Sequence, residues 1–230
     1  MPETPRAEPV AIPFGEDGTI SGLVQAPSRA RACYVLAHGA GAGMAHPFLD
    51  AMAAELARRD VATLRFQFPF MERGAKRPDP PAVAQAAVRA AVAAASRLVP
   101  ELTLVAGGRS FGGRMASQAQ AAAPLPGVRA LAFLGFPLHP AQRPSVERAQ
   151  HLFAVNIPML FLQGSRDELA ELQHLEPVCE QLGARATLHV IGDADHGFHV
   201  RARSGRTDAQ VRGELADVLA AWIEGNAALG

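Results

Sequence analysis

The sequence predicts an α/β fold: a mostly parallel central sheet with an antiparallel hairpin at its start and helices on both faces. Two observations predict it. From residue 33 onward, short continuous apolar runs, as expected of strands buried on both faces, alternate with longer stretches of helical periodicity, and such alternation builds a parallel sheet covered by helices. Before them, two short β-type runs lie on either side of the turn Gly15-Glu16-Asp17-Gly18 and read as a hairpin.

Taken in order, residues 10–14 and 19–25 form that hairpin, and CYVLA at 33–37 is the first buried strand. A helix follows, with Pro47 suited to its first turn and Phe48, Met52 and Leu56 spaced four apart. Residues 61–66 read as a strand, 80–98 as an Ala-rich helix and 102–106 as the next strand. A helix then follows Ser110, with strands at 130–134 and 158–162, a helix near 169–182 and a strand at 186–191. The last helix carries Val211, Leu215, Val218 and Trp222 on one stripe. The proline-rich, charged piece 71–81 reads as a surface loop. Residues 1–9 are expected to be a flexible tail and 10–230 a single domain, with no linker and no internal repeat.

Composition narrows the class of function. The 230 residues are 49% hydrophobic and 19% charged, ordinary for a globular chain. The formal net charge is zero, which predicts no attraction to nucleic acid or to anionic membranes. Cys33 sits in an apolar run and Cys179 in a helical one, so neither belongs to a disulfide framework or a metal site. The N-terminus lacks an apolar signal core, and no stretch approaches 18 uninterrupted apolar residues. These features predict a soluble, cytoplasmic protein with a small-molecule substrate.

The chemistry begins at Gly108-Arg109-Ser110-Phe111-Gly112, which matches G-x-S-x-G directly after an apolar strand and directly before a helix. A sharp turn there lifts the serine hydroxyl off the sheet, and flanking glycines remove Cβ atoms that would clash. A nucleophilic serine needs a base and a group to orient it, in the order Ser, Asp or Glu, His for such a strand–turn–helix. Asp167 follows the strand at 158–162, and His196 follows the strand at 186–191, so all three candidates lie where parallel strand ends converge. Asp167 is equally placed to cap the next helix, with Glu168 as a rival carboxylate and His199 as a rival base.

Oxyanion stabilisation requires two preorganised N–H donors. One candidate is the amide of Phe111, next to the nucleophile. The other is that of Ala40, in the glycine-rich turn His38-Gly39-Ala40-Gly41-Ala42-Gly43 after the first parallel strand. This turn is not a dinucleotide fingerprint, because the third glycine of G-x-G-x-x-G is missing: Met44 or His46 stands where it is required. A phosphate-binding Gly-Lys-Ser/Thr loop and the H-E-x-x-H spacing of zinc hydrolases are also absent, so neither cofactor nor metal is expected. His139, Arg65 and Arg109 lie near strand ends and are candidates for substrate contact, the arginines for an acidic substrate group. Packing for the histidine and buried ion pairs for the arginines are the competing uses.

These motifs resemble the α/β-hydrolase superfamily, with the compactness of dienelactone hydrolases. More narrowly, the chain looks like a group of small hydrolase-like proteins that includes a testis-expressed protein and the hydrolase-like domain of an NSL histone-acetyltransferase-complex subunit. The general signatures are the serine turn and the Asp167 and His196 segments. The specific ones are Arg65-Phe66-Gln67-Phe68-Pro69-Phe70 and Phe133-Leu134-Gly135-Phe136-Pro137-Leu138-His139-Pro140, and the whole resemblance spans about residues 30 to 200. It implies the α/β-hydrolase fold without a large cap domain and the Ser110–His196–Asp167 triad of a serine esterase or thioesterase, and it says little about substrate. The rival from another class is an interaction module that keeps the fold without turnover.

Overall fold

The structure, a computed structural model, describes residues 5–227. Strands β1 (Glu8–Phe14) and β2 (Gly18–Gln25) form the hairpin, turned at Gly15, whose φ of 74° suits glycine. β2 pairs antiparallel with β4 (Val61–Phe66). From there the sheet is parallel through β3 (Ala32–Ala37), β5 (Thr103–Arg109), β6 (Val128–Leu134), β7 (Met159–Gly164) and β8 (Ala186–Ile191). The strand order is β1-β2-β4-β3-β5-β6-β7-β8. The α/β-hydrolase architecture expected from the sequence is therefore present.

Side chains alternate across this sheet because successive strand residues point to opposite faces. Cys33 and Val35 enter one core, covered by α3 (Pro81–Leu98), α4 (Phe111–Ala122) and α5 (Leu172–Leu182). Tyr34 and Leu36 enter the other, covered by α1 (Pro47–Ala57) and α6 (Asp208–Ala227). Six of six residues in β3, β4 and β7 are buried, which explains why β3 reads as an unbroken apolar run, while β4 and β7 also bury the polar Thr63, Arg65 and Gln163.

Element boundaries depart from the sequence reading where polar or proline-rich ends are involved. Of the expected tail 1–9, residues 1–4 lie outside the described residues, whereas Glu8 and Pro9 already pair with Val24 and Leu23. The expected loop 71–81 is shorter. A single turn, α2 (Pro69–Glu72), opens on Pro69, and Pro81 starts α3, so proline at a first turn shapes both ends. α5 starts at Leu172, after a turn in which Asp167 Oδ1 accepts the Leu169 N–H and the Asp167 carbonyl accepts the Ala170 N–H. The buried stripe of α6 is Val211, Leu215, Leu219 and Ile223, with Val218 and Trp222 only half-buried at its edge. Between β6 and β7 the only helical segment is a 3-10 helix, Glu147–Ala154. No helix of the described residues is long and apolar enough to cross a membrane.

Candidate active site

Ser110 stands between the end of β5 and the first residue of α4 with φ 50° and ψ −115°, a left-handed conformation that costs a non-glycine residue energy. The sequence around it explains how the turn is tolerated. A Cβ at Gly108 would lie 2.2 Å from the Ala37 carbonyl oxygen, and one at Gly112 would lie 2.6 Å from the carbonyl oxygens of both Ala37 and His38. These contacts are with backbone and cannot relax, so both glycines are required for β5 and α4 to approach β3 this closely.

The other two predicted residues converge on this serine. His196 Nε2 lies 2.8 Å from Ser110 Oγ, and His196 Nδ1 lies 2.6 Å from Asp167 Oδ2. They come from the loops after β8 and β7, and the imidazole passes over the end of β6. There Gly135 has φ 71°, which favours glycine, and its backbone lies against the ring, where a Cβ would make van der Waals contact at 3.4 Å with His196 Cε1 and Nδ1. Asp167 is buried and held on both oxygens, Oδ2 receiving an N–H of Gln163 and Oδ1 the Leu169 N–H at 2.8 Å. It thus both faces His196 and makes the side-chain turn that precedes α5. The rivals fall away. Glu168 is exposed, and His199 is exposed and bonded through Nδ1 to Asp208 at 2.6 Å.

A cavity of about 350 Å³ opens at Ser110 and His196 and is lined by Gly39, Ala40, Gly41 and Arg109 among others. Ala40 and Phe111 each present an N–H that has no acceptor within the described residues, Phe111 as the first residue of a helix whose leading N–H groups lack intrahelical partners. These are the positions that the sequence offered for an oxyanion.

The substrate-contact candidates divide. Arg109 lines the cavity, with its guanidinium 4.9 Å over the Phe48 ring. Arg65 does not: its side chain is fully buried, Nη2 lies 3.1 Å from Asp50 Oδ1 and Nη1 donates to the Met44 carbonyl at 3.3 Å. His139 is likewise fully buried, with Nε2 2.6 Å from Glu171 and Nδ1 2.9 Å from the Pro140 carbonyl. Both side chains turn into the packing beneath their loops, where carboxylate partners were available.

Two residues of the site escaped the sequence reading. His38 is completely buried at the base of the glycine-rich turn 38–43, and Gln163 bonds Asp167 while accepting the Phe136 N–H at 3.0 Å. The segment 65–70 braces the same turn: Gln67 Oε1 accepts the Met44 N–H at 2.8 Å, and Arg65 holds the Met44 carbonyl. Burial keeps His38 neutral by pushing its pKa below the ordinary value, against opposing contacts with Gly39 and Ala42. Among the described residues, no group of three His, Cys, Asp or Glu side chains is placed to hold a metal ion.

Comparison with known proteins places the chain in a family. A family model described as an alpha/beta hydrolase domain matches residues 30–224. Among solved structures, a dienelactone hydrolase from Anabaena variabilis is 21% identical, with 97% of this chain and 99% of that chain covered and a TM-score of 0.78. A protein from Xanthomonas campestris described as a serine hydrolase without lid is 22% identical, covering 94% and 95%, with a TM-score of 0.72. A cold-adapted esterase from an Arctic intertidal metagenomic library is 17% identical, covering 94% of both chains, with a TM-score of 0.68. At these identities the likeness is one of fold.

Proposed function

The chain belongs to the α/β-hydrolase domain family, and we propose that within it the protein is a serine hydrolase cleaving a small ester or thioester through an acyl-enzyme. The observation that carries this reading is the continuous hydrogen-bonded relay from Ser110 Oγ through both ring nitrogens of His196 to Asp167. His196 Nε2 takes the Ser110 proton as Oγ attacks the substrate carbonyl, and Asp167 fixes the tautomer and stabilises the imidazolium. The N–H groups of Phe111 and Ala40 receive the oxyanion. As the tetrahedral species collapses, His196 passes the proton to the leaving group. Water, deprotonated by the same nitrogen, then releases the acyl group and restores Ser110. No metal or cofactor takes part in this scheme.

The specific 65–70 and 133–140 segments support placing the protein, within the family, beside the small group containing the testis-expressed and NSL-complex hydrolase-like proteins. The alternative of a non-catalytic binding module leaves an ordered relay on a strained serine without a use.

A fluorophosphonate probe tests the reading, since it reacts only with an activated serine. We expect one of the eight serines to be labelled, with labelling and turnover of p-nitrophenyl acetate both lost in Ser110→Ala. Undiminished labelling of that variant, or no reaction of the parent protein, would overturn the proposal.

A further inference from the structure

The cavity at Ser110 does not end at the triad. A second one of about 370 Å³ adjoins it, and His46 and Arg109 line both. Phe48 and Phe198, stacked at 5.8 Å, line the second cavity, as does Arg212 from α6. Among the described residues neither Arg109 nor Arg212 has an ion-pair or hydrogen-bond partner, and Arg212 Nε is buried without one.

The nearby carboxylates are already engaged. Asp208, on the cavity wall, bonds His199 Nδ1 at 2.6 Å and the Val200 N–H at 3.1 Å. Asp195 accepts the N–H groups of Gly197 and His199 at 2.8 and 2.9 Å. His46 accepts the Phe48 N–H on Nδ1 at 3.2 Å. Its pKa is drawn below the ordinary value by burial, then by the nearby Arg109 and His199, so it adds no cation at neutral pH. Two guanidinium groups thus stand beside an aromatic wall, partly withdrawn from water, with Asp195 and Asp208 acting on them only at a distance and no carboxylate hydrogen-bonded to either. That arrangement is costly unless something of opposite charge completes it. Guanidinium groups suit carboxylate and phosphate oxygens, which they bind in planar, paired hydrogen bonds.

We propose that the adjoining cavity is an anion subsite, in which Arg109 and Arg212 receive a carboxylate or phosphate carried by the ester whose carbonyl Ser110 attacks. The proposal rests on Ser110 being the nucleophile. It makes the preferred substrate an anionic ester, with the charge seated one cavity away from the scissile bond.

The test compares kcat/KM for p-nitrophenyl acetate, mono-p-nitrophenyl glutarate and its methyl ester, 4-acetoxybenzoate and its methyl ester, and 4-acetoxyphenyl phosphate. At low ionic strength, at least one anionic ester should exceed its neutral counterpart by about ten-fold or more. Which one does so tells whether the acyl or the leaving half carries the charge, and whether it is carboxylate or phosphate. Arg212→Gln should lower that ratio about ten-fold, Arg212→Lys should retain part of it, and 0.5 M NaCl should compress it in the parent protein. Equal turnover of charged and neutral esters by the parent protein overturns the subsite and leaves the hydrolase reading standing. A preference that survives both Arg109→Gln and Arg212→Gln also overturns it. Absence of ester turnover together with absence of Ser110 labelling overturns the hydrolase reading, and the subsite with it.

Discussion

The buried ring of His38 accepts the Phe68 N–H on Nε2 at 2.9 Å, and its other nitrogen lies 2.7 Å from the Gly39 carbonyl. Since Nε2 accepts, Nδ1 carries the proton and donates to Gly39. One imidazole therefore ties the turn offering the Ala40 N–H to the segment after β4. His38→Leu should leave the Phe68 N–H and the Gly39 carbonyl without partners, at a cost of about 1–3 kcal/mol in urea unfolding. It should also lower kcat by up to roughly 10²-fold, the scale of losing one oxyanion donor. Unchanged kcat in a destabilised but folded variant would limit His38 to a structural role.

The orienting carboxylate is tested by a pair of substitutions. Asp167→Asn should reduce turnover by about 10⁴-fold with the fold intact, because the amide favours the wrong histidine tautomer. Glu168→Gln, at an exposed position, should match the parent protein. The reverse pattern would show that the wrong carboxylate has been assigned.

How much of this was legible in the sequence depended on how local the signal was. The serine turn and the positions of Asp167 and His196 could be read because each follows a strand within a few residues, buried for β5 and β7 and half-buried for β8, so chain direction alone brings them to one sheet edge. Arg65 and His139 follow or end strands in the same way, yet their side chains turn inward to Asp50 and Glu171, 15 residues before and 32 residues after them. Nothing near Arg65 or His139 specifies which partner they meet. His38 and Gln163 were hidden for the same reason: their bonds to Phe68 and Phe136 span 30 and 27 residues. A polar residue directly after or inside a run that is otherwise buried was the available signal.

Acyl-chain preference follows from the small site and the short β6–β7 connection, whose only helical segment is Glu147–Ala154. Each covered methylene contributes about 0.8 kcal/mol, but a cavity of about 350 Å³ without a cap covers few. Among neutral p-nitrophenyl esters, acetate to butyrate should give the highest kcat/KM, with no rise in rate above the critical micelle concentration. A preference for twelve carbons or more would mean that another segment, with 71–81 the first to examine, folds over the site.

Stability should fall on mild acidification. The ring of His151 lies 2.7 Å from Ser117 Oγ, whose own proton goes to the Arg114 carbonyl, so His151 is the donor and this second Ser–His pair is not a nucleophile and base. Burial, then the charge of Arg114, lowers the His151 pKa to about 4, and burial lowers that of His38. Both are neutral in the folded chain, whereas unfolded histidine takes up a proton near pH 6.5. The unfolded state binds more protons below that value, so stability is full above pH 6.5 and declines as pH falls, for His151 down to about pH 4. Urea midpoints measured from pH 7 to 4.5 should drop, and less steeply in His151→Gln. An identical slope in that variant would remove His151 from the account.

The relay between Ser110 and His196 joins residues 86 positions apart, and β8 is the last strand to enter the sheet. During synthesis, a chain that has emerged only as far as α5 holds Ser110 and Asp167 but lacks His196, which follows β8. On the proposed function, hydrolytic competence is expected only once β8 has joined the sheet and His196 lies beside Gly135. A chain ending before His196 is expected to be silent toward esters, so on the proposed function the onset of turnover would report emergence of the segment after β8.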